Sequence, residues 1–363
     1  GCNRGKSDII ADFTKEGDVA RVRALAAEAD ILIENFKVGG LAKYGLDYAA
    51  LANDIKIWSR ELGFQAICIA DAHADMSAVE SGLFNWLAQG CHGDMDYMAK
   101  HGTKRTRPAE LEPGTQRILS VCMNYAPPHA KNSWDVIHSG TGAFISRYAL
   151  GRDYHKWMRK RLALLAQKIE TQVAHTHRAV VDSAPVLERA FAQKSGLGWI
   201  GKNTMLINSQ AGSYFFLGEI LTDLPLPLTA PQETTHCGTC TACLDLCPTQ
   251  AFVAPQQLNA SRCISYLTIE LRGSIPLELR KKIGNRIFGC DDCQAVCPWN
   301  KFAQRTEQEV FQPKHSLDDV QLTALFAWSE EEYLEKTAGS ALRRIGYEGW
   351  LRNIAVALGN ART

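Results

Sequence analysis

No apolar run in this chain of 363 residues reaches the roughly 18 residues that a membrane span needs, and no signal-peptide core opens it. A membrane or exported protein is therefore not expected, and the expected compartment is the cytoplasm. Charge of one sign is lacking too: 40 Lys and Arg stand against 39 Asp and Glu, a formal net charge of +1. A polyanionic partner would have to be met by a local patch. A nucleotide signature is missing as well. Gly196-Leu-Gly-Trp-Ile-Gly-Lys202 looks like a phosphate loop, but Asn203 follows the lysine and the G-x4-G-K-[ST] spacing is absent. An ATPase of that kind is excluded.

What the chain does have, in one place, is cysteine. Cys237-Gly-Thr-Cys240-Thr-Ala-Cys243-Leu-Asp-Leu-Cys247-Pro248 is the run C-x2-C-x2-C-x3-C-P, in which three thiolates hold one iron–sulfur cube and the fourth ligates another. Cys263 follows, then Cys290-Asp-Asp-Cys293-Gln-Ala-Val-Cys297-Pro298. The crossed pattern assigns Cys237, Cys240, Cys243 and Cys297 to one [4Fe–4S] cluster. It assigns Cys290, Cys293, Cys247 and Cys263 to a second. Zinc is the main alternative, since C-x2-C pairs also bind that ion. Disulfides are less expected, because a chain with 46% hydrophobic residues can build a core without staples. Cys2, Cys68, Cys91 and Cys122 are scattered.

The length suggests two or three domains. Residues 1–52 read as a foreign extension: helix, a short Ile31-Leu32-Ile33 strand, Gly39-Gly40, and a further helix. This piece resembles a fragment of the family III coenzyme A transferases. That family's catalytic aspartate lies beyond such a fragment, so no transferase activity is expected. Residues 53–229 form the next unit, with strands at Ala66–Ala70, Arg117–Tyr125 and Gly212–Leu221 and a basic helix after Asp153. Asp182 ends a strand ahead of a helix whose first turn is expected to hold Pro185. There it could serve function or merely cap the helix. Residues 230–302 are the cysteine unit. Residues 303–363 are helical, with Trp350–Leu358 like the start of a helical repeat; a lone helix pair needs a neighbour, so a shortened C-terminus is expected.

Five blocks from Asp54 onward resemble the epoxyqueuosine reductase family. They are Ser146-Arg-Tyr-Ala-Leu-Gly-Arg-Asp-Tyr-His155, Val181-Asp-Ser-Ala-Pro-Val-Leu-Glu-Arg189, Gly196–Lys202, Cys263-Ile-Ser-Tyr-Leu-Thr-Ile-Glu-Leu-Arg272 and Gly289-Cys-Asp-Asp-Cys-Gln-Ala-Val-Cys-Pro-Trp-Asn300. The resemblance implies an α+β, mixed α/β fold: a cobalamin-binding mixed-sheet domain, a ferredoxin-like two-cluster domain and a HEAT-like helical tail. It implies reduction of epoxyqueuosine to queuosine in the tRNA anticodon, with cobalamin and two [4Fe–4S] clusters as cofactors. Asp71-Ala-His73 begins the D-x-H-x-x-G motif by which some cobalamin proteins offer histidine to cobalt, but Met76 replaces the glycine. His73 reads as a loop histidine, in keeping with a cobalamin that takes no ligand from that motif.

By matching block, Asp182 is the expected proton donor, its pKa raised toward neutrality by burial. Ser146, Tyr148, Asn203, Glu270, Asp291 and Asp292, beside Cys290 and Cys293, are the expected corrin surroundings. Two basic groups are candidates for the tRNA anticodon stem-loop: Arg152, Lys156, Arg159, Lys160 and Arg161, and Arg272, Arg280, Lys281, Lys282 and Arg286. Read without the resemblance, the first is a solvated helix face. Trp299 and Tyr266 are candidates to stack on a splayed base. An external ferredoxin- or flavodoxin-type electron donor, no membrane partner and a monomer are expected. A cobalamin-dependent reductive dehalogenase-like enzyme and a ferredoxin-type electron carrier are the competing readings. The carrier leaves the long stretch before the cysteines without a role.

Overall fold

The computed structural model describes Ile9 and residues 11–27, 48–232 and 234–361. Strands Arg117–Asn124 and Phe215–Thr222 are almost wholly buried, so each must be covered on both faces. They pair antiparallel along their full length at the centre of a four-stranded sheet. Ala66–Asp71 adds beside the first and His177–Val180 beside the second, both antiparallel.

Alternation along the strands divides two layers of core. Leu119, Val121 and Met123 meet Met158, Leu162 and Leu165 of helix Tyr154–Glu170 and Ala52 and Ile55 of helix Tyr48–Glu61. On the opposite face, Ile118 packs with Ala190 and Phe191 of helix Glu188–Lys194, and Cys122 with Ala192. Gly218 permits the first layer to close, since a Cβ there would press on Leu162, Met158 and Val181.

The mixed pairing expected from the sequence occurs in a smaller sheet, whereas the larger one is antiparallel throughout. Gly142–Ile145 runs parallel to Arg286–Phe288 and antiparallel to Val320–Gln321. This sheet shares its core with the C-terminal helices. Ala143, Ile145, Ile287 and Phe288 pack with Leu325, Tyr333, Trp350 and Ile354. Helix Gly346–Asn360 is tied down further by Asn353, whose buried amide donates to the carbonyls of Thr268 and Ile287 at 2.7 and 2.8 Å.

Helix Tyr48–Glu61 runs unbroken through the boundary expected at residues 52 and 53, burying Ala52, Ile55 and Ser59. Upstream, Glu16–Ala27 is helical. The strand expected at Ile31–Ile33, Gly39-Gly40, the start of the helix beyond them and Cys2 lie outside the described residues.

Candidate active site and cluster centres

Each cysteine run winds one short helix, Ala242–Asp245 and Asp292–Ala295. Cys237, Cys240, Cys243 and Cys297 line one pocket together with Lys202, Asn203, His236 and Trp299. Lys202, in the run that resembles a phosphate loop, instead donates to the carbonyls of Gly238 and Cys240 at 2.8 and 2.9 Å and fixes the thiol loop. Cys240 is exposed. Among the described residues no three His, Cys, Asp or Glu side chains converge on a single-ion position. Four thiols around a cavity match a cube of several atoms better than one Zn with Zn–S bonds of about 2.3 Å.

Cys263, Cys290 and Cys293 lie deeper. Burial raises all three thiols first; among the charges that add to it are Cys247 on Cys263, Asp292 and Cys263 on Cys290, and Cys263 and Asp291 on Cys293. Burial thus favours the neutral thiol here, and a cationic iron centre would be what makes these cysteines thiolate ligands; a sulfur donor set of this kind fits iron.

The loop carrying Cys290 and Cys293 is held by carboxylates. Asp291, buried, accepts from the Ser146 hydroxyl at 2.5 Å and the Arg147 amide at 2.8 Å. Asp292 forms a buried two-point pair with Arg286 at 2.8 and 2.6 Å. The Asn203 side chain donates to the Cys293 carbonyl at 3.0 Å. Glu270 pairs with Arg344 at 2.8 Å. Of the expected corrin surroundings, these five side chains therefore already have protein partners. Tyr148 follows the Ser146-Arg147 pair that Asp291 holds and stands edge-on to the Tyr154 ring at 6.4 Å, on the side of Asp182. Aromatic Tyr97, 44% exposed, lies within electrostatic reach of Glu270, Arg344 and Asp182. The ring faces of Tyr97 and Tyr148 suit a large, flat corrin, whereas Ser146, Asn203, Asp291 and Asp292, each buried, would support it only from behind.

Asp182 lies just past the strand His177–Val180, with φ +46°. Its carboxylate accepts from the Tyr154 hydroxyl at 3.0 Å and from His155 Nε2 at 3.1 Å. The Nδ1 of His155 donates to Asp153 at 2.6 Å, so both ring nitrogens face carboxylates. Tyr154 and His155 are placed by the helix they begin, whose N-cap is Asp153. The Asp182 side chain is 56% open to solvent while closely surrounded, as a group on a cleft wall must be. Burial alone would raise its pKa, but the hydrogen bond and charge of His155, the Tyr154 hydroxyl and Arg344 hold it below the ordinary carboxylate range. This corrects the expected upward shift. The proton rests on His155: burial would lower the imidazole, but Asp153 and Asp182 raise it to about 9.

The helix after Asp182 begins at Glu188, with Leu187 as its N-cap. Pro185 therefore precedes the first turn it was expected to occupy, and Asp182 does not cap this helix. The chain runs through a series of bends between Asp182 and Val186, and the carboxylate meets Tyr154 and His155 instead.

Among the basic candidates, Arg152, Lys156, Arg159 and Lys160 are exposed on helix Tyr154–Glu170 or just before it. Arg272, Lys281 and Lys282 are exposed as well, and Arg272 donates to the Arg344 carbonyl at 3.3 Å. Arg280 is half-buried and donates to the Ile275 carbonyl at 2.9 Å. Arg286 is not available to RNA, because Asp292 draws it into the core. Arg161 is pinned over the Trp157 ring at 3.6 Å and donates to the Leu62 carbonyl. Tyr266 is buried, its hydroxyl accepting from the Asp94 amide at 2.9 Å, and cannot stack on a base. Trp299 lines the outer thiol pocket, edge-on to Trp199 at 5.0 Å. Tyr154, His155, Glu188 and Arg344 carried no assigned role in the sequence. For Tyr154, His155 and Glu188 the available signal was their place in the five blocks; Arg344 lies outside all five, and only the fold brings it to the others.

The fold and the two thiol sets define an iron–sulfur protein, and residues 236–300 match the 4Fe-4S double cluster binding domain. Residues 105–183 match epoxyqueuosine reductase QueG, and residues 1–55 match CoA-transferase family III. The epoxyqueuosine reductase of Pseudomonas aeruginosa is 60% identical over 316 residues, covering 87% of this chain and 87% of the relative. That of Escherichia coli K12 is 54% identical over 317 residues, covering 87% and 83%. A crystal structure of epoxyqueuosine reductase with an epoxyqueuosine-modified tRNA-Tyr stem loop matches with TM-score 0.79 at 31% identity, over 86% of this chain and 82% of that one. The Bacillus subtilis epoxyqueuosine reductase, with an aspartate-bearing catalytic loop swung out of its active site, matches with TM-score 0.77 at 30% identity, over 86% and 82%. The chain belongs to the epoxyqueuosine reductase family of oxidoreductases.

Proposed function

We propose that this chain reduces epoxyqueuosine to queuosine at the wobble position of a tRNA anticodon, the last step of queuosine formation. The observation that carries this reading is the Asp182, His155 and Tyr154 group, with Tyr148 edge-on to Tyr154 and its neighbours Ser146 and Arg147 bonded to Asp291 of the Cys290–Cys293 loop, in a chain of this family. Cys237, Cys240, Cys243 and Cys297 hold one [4Fe–4S] cluster; Cys247, Cys263, Cys290 and Cys293 hold the other. Ser146, Tyr148, Asn203, Glu270, Asp291 and Asp292 surround the cobalamin. Loaded with its cofactors, the protein has the two electrons that conversion of an epoxide to an alkene and water consumes, along with two protons.

The side chains handle the proton. Asp182 faces the epoxide oxygen and passes it a proton held between its carboxylate and His155, while Tyr154 keeps the carboxylate aimed. Burial under the bound base excludes water, weakening the hold of His155 on that proton and strengthening the hydrogen bond to the developing alkoxide. As in the Bacillus subtilis relative, the loop carrying the aspartate can move aside. Arg152, Lys156, Arg159, Arg272, Lys281 and Lys282 meet phosphates of the stem loop.

An external ferredoxin- or flavodoxin-type protein delivers electrons over the outer thiols, where Cys240 reaches the surface. The protein works as a cytoplasmic monomer; among the described residues no helix is long and apolar enough to cross a membrane. We place its units at residues 53–229, 230–302 and 303–363, after an extension over 1–52. The deciding experiment is single-turnover conversion of an epoxyqueuosine-containing anticodon stem loop by pre-reduced, cobalamin-loaded protein. Absence of queuosine while the visible spectrum reports both cofactors would refute the reading.

A further inference from the structure

Asp182 does not adopt its conformation for free. A side chain at φ +46° sits in the left-handed region that residues other than glycine rarely occupy. In the bends that follow, Ser183 N–H bonds to the Val181 carbonyl at 2.5 Å and Val186 N–H to that of Ala184 at 2.8 Å, and just beyond them Leu187 N–H reaches the Arg105 carbonyl at 2.9 Å. The Asp182 amide is different. It donates to Glu188 Oε1 at 2.6 Å, six residues downstream.

Glu188 is well anchored for this purpose. It is the first residue of helix Glu188–Lys194, whose Ala190 and Phe191 are packed against the sheet. Next to it, Arg189 donates to the Thr204 carbonyl. We propose that Glu188 latches the Asp182 loop: its carboxyl oxygen takes the Asp182 amide and holds residue 182 where the carboxylate meets Tyr154 and His155. This deepens, and rests on, the reading of Asp182 as the acid.

Without that acceptor the exposed amide turns to water, and only the Tyr154 and His155 bonds are left to offset the left-handed backbone. Relaxation to negative φ swings the side chain off His155. The charges around Glu188 suit a neutral latch. Burial and then the Asp182 charge raise its carboxyl to about 8, with Arg189 and His155 opposing; Tyr154 and Glu219 also lie within its field. A protonated carboxyl still offers a carbonyl oxygen to the amide, and it does not repel the Asp182 carboxylate.

Glutamine reproduces that neutral acceptor, and alanine removes it. The test is an NMR titration of the His155 imidazole in the full chain, its resonance assigned with His155→Gln. Wild type and Glu188→Gln should titrate near 9. Glu188→Ala should titrate lower by about one unit or more, matching the fall in Asp182→Asn, because each takes a carboxylate from His155. Should Glu188→Ala lose its near-ultraviolet circular dichroism, Glu188→Asp, which withdraws the oxygen by one methylene, serves in its place.

An unchanged His155 midpoint in the alanine or aspartate variant overturns the latch, whatever Asp182 does in catalysis. Glu188→Gln behaving like Glu188→Ala overturns it too, since the proton and not the acceptor would then matter. In single turnover of the loaded enzyme, Glu188→Ala should lose about 100-fold while Glu188→Gln stays within about threefold. A lowered midpoint with undiminished turnover supports the latch and removes the acid role of Asp182 instead.

Discussion

The cysteine region keeps its chemistry within one stretch of sequence, from Cys237 to Cys297, whereas the Asp182 cleft draws Asp182, Tyr154, His155, Tyr97, Glu270 and Arg344 from five separate segments. The first is specified by spacing, because a cube of fixed size demands thiols at fixed intervals. The second is specified by packing. Asp182 reaches His155 only because one residue ends a strand of the large sheet and the other begins the helix laid across it. Local spacing survives as a readable pattern, and tertiary juxtaposition does not.

The sharpest way to break the comparison is Asp182→Asn, which keeps shape and removes the acid. Single-turnover conversion should fall by about 100- to 10,000-fold with stem-loop binding retained; a rate within about threefold of wild type would return Asp182 to a structural role. On the cysteine side, reconstituted wild type should bind about eight irons and Cys297→Ala about four. The missing cluster should be that of Cys237, Cys240 and Cys243. Loss confined to the cluster of Cys290 and Cys293 would contradict the crossed pattern.

A third prediction concerns pH and bears on the cleft alone. The folded-state value of His155, about 9, lies above its ordinary 6.5. The stabilisation from Asp153 and Asp182 is therefore complete below about pH 6.5 and disappears as pH rises through about 9. Asp182, lowered, stays ionised throughout that window. Melting temperature should drop between these limits, single-turnover rate should fall about tenfold per unit above pH 9, and His155→Gln should flatten both profiles. A wild-type melting profile that stays level from pH 6.5 to 10 would contradict the pairing.

Smaller effects are expected at the surface. Replacing both Lys281 and Lys282 by glutamate should weaken stem-loop binding several-fold and reduce the salt slope by about one for each phosphate that is no longer neutralised; filter binding at two salt concentrations measures it. The least effect should come from removing residues 1–47, since helix Tyr48–Glu61 brings its own buried face. Cluster content and melting temperature should hardly change. Beginning instead at Leu62 deletes Ala52 and Ile55 from the core and should abolish folding.

Individual residues explain what the sequence could and could not reveal. The strands were legible because largely apolar runs such as Ile118–Met123, broken only by Ser120, have few alternatives when both faces are covered. Arg286 was misread as part of a basic patch because charge along the chain gives no hint of a buried partner, here Asp292. The direction of the Asp182 shift was missed for a similar reason. Burial was foreseen, but a protonated imidazole at 3.1 Å outweighs it. Lys202 had the residue type of a phosphate ligand, yet its geometry is that of a clamp on the Gly238 and Cys240 carbonyls.

The pocket that joins Cys237, Cys240 and Cys243 to Cys297 has a consequence for how the protein is made in a cell. As the nascent chain leaves the ribosome, three of these thiols emerge early and wait without their fourth. The intervening chain, including helix Ile264–Ile269 and strand Arg286–Phe288, must be synthesised before Cys297 arrives. Loading of this set is thereby deferred until Cys297 has been synthesised, and a ribosome stalled between Cys247 and Cys290 would present exposed thiols without a complete home for iron.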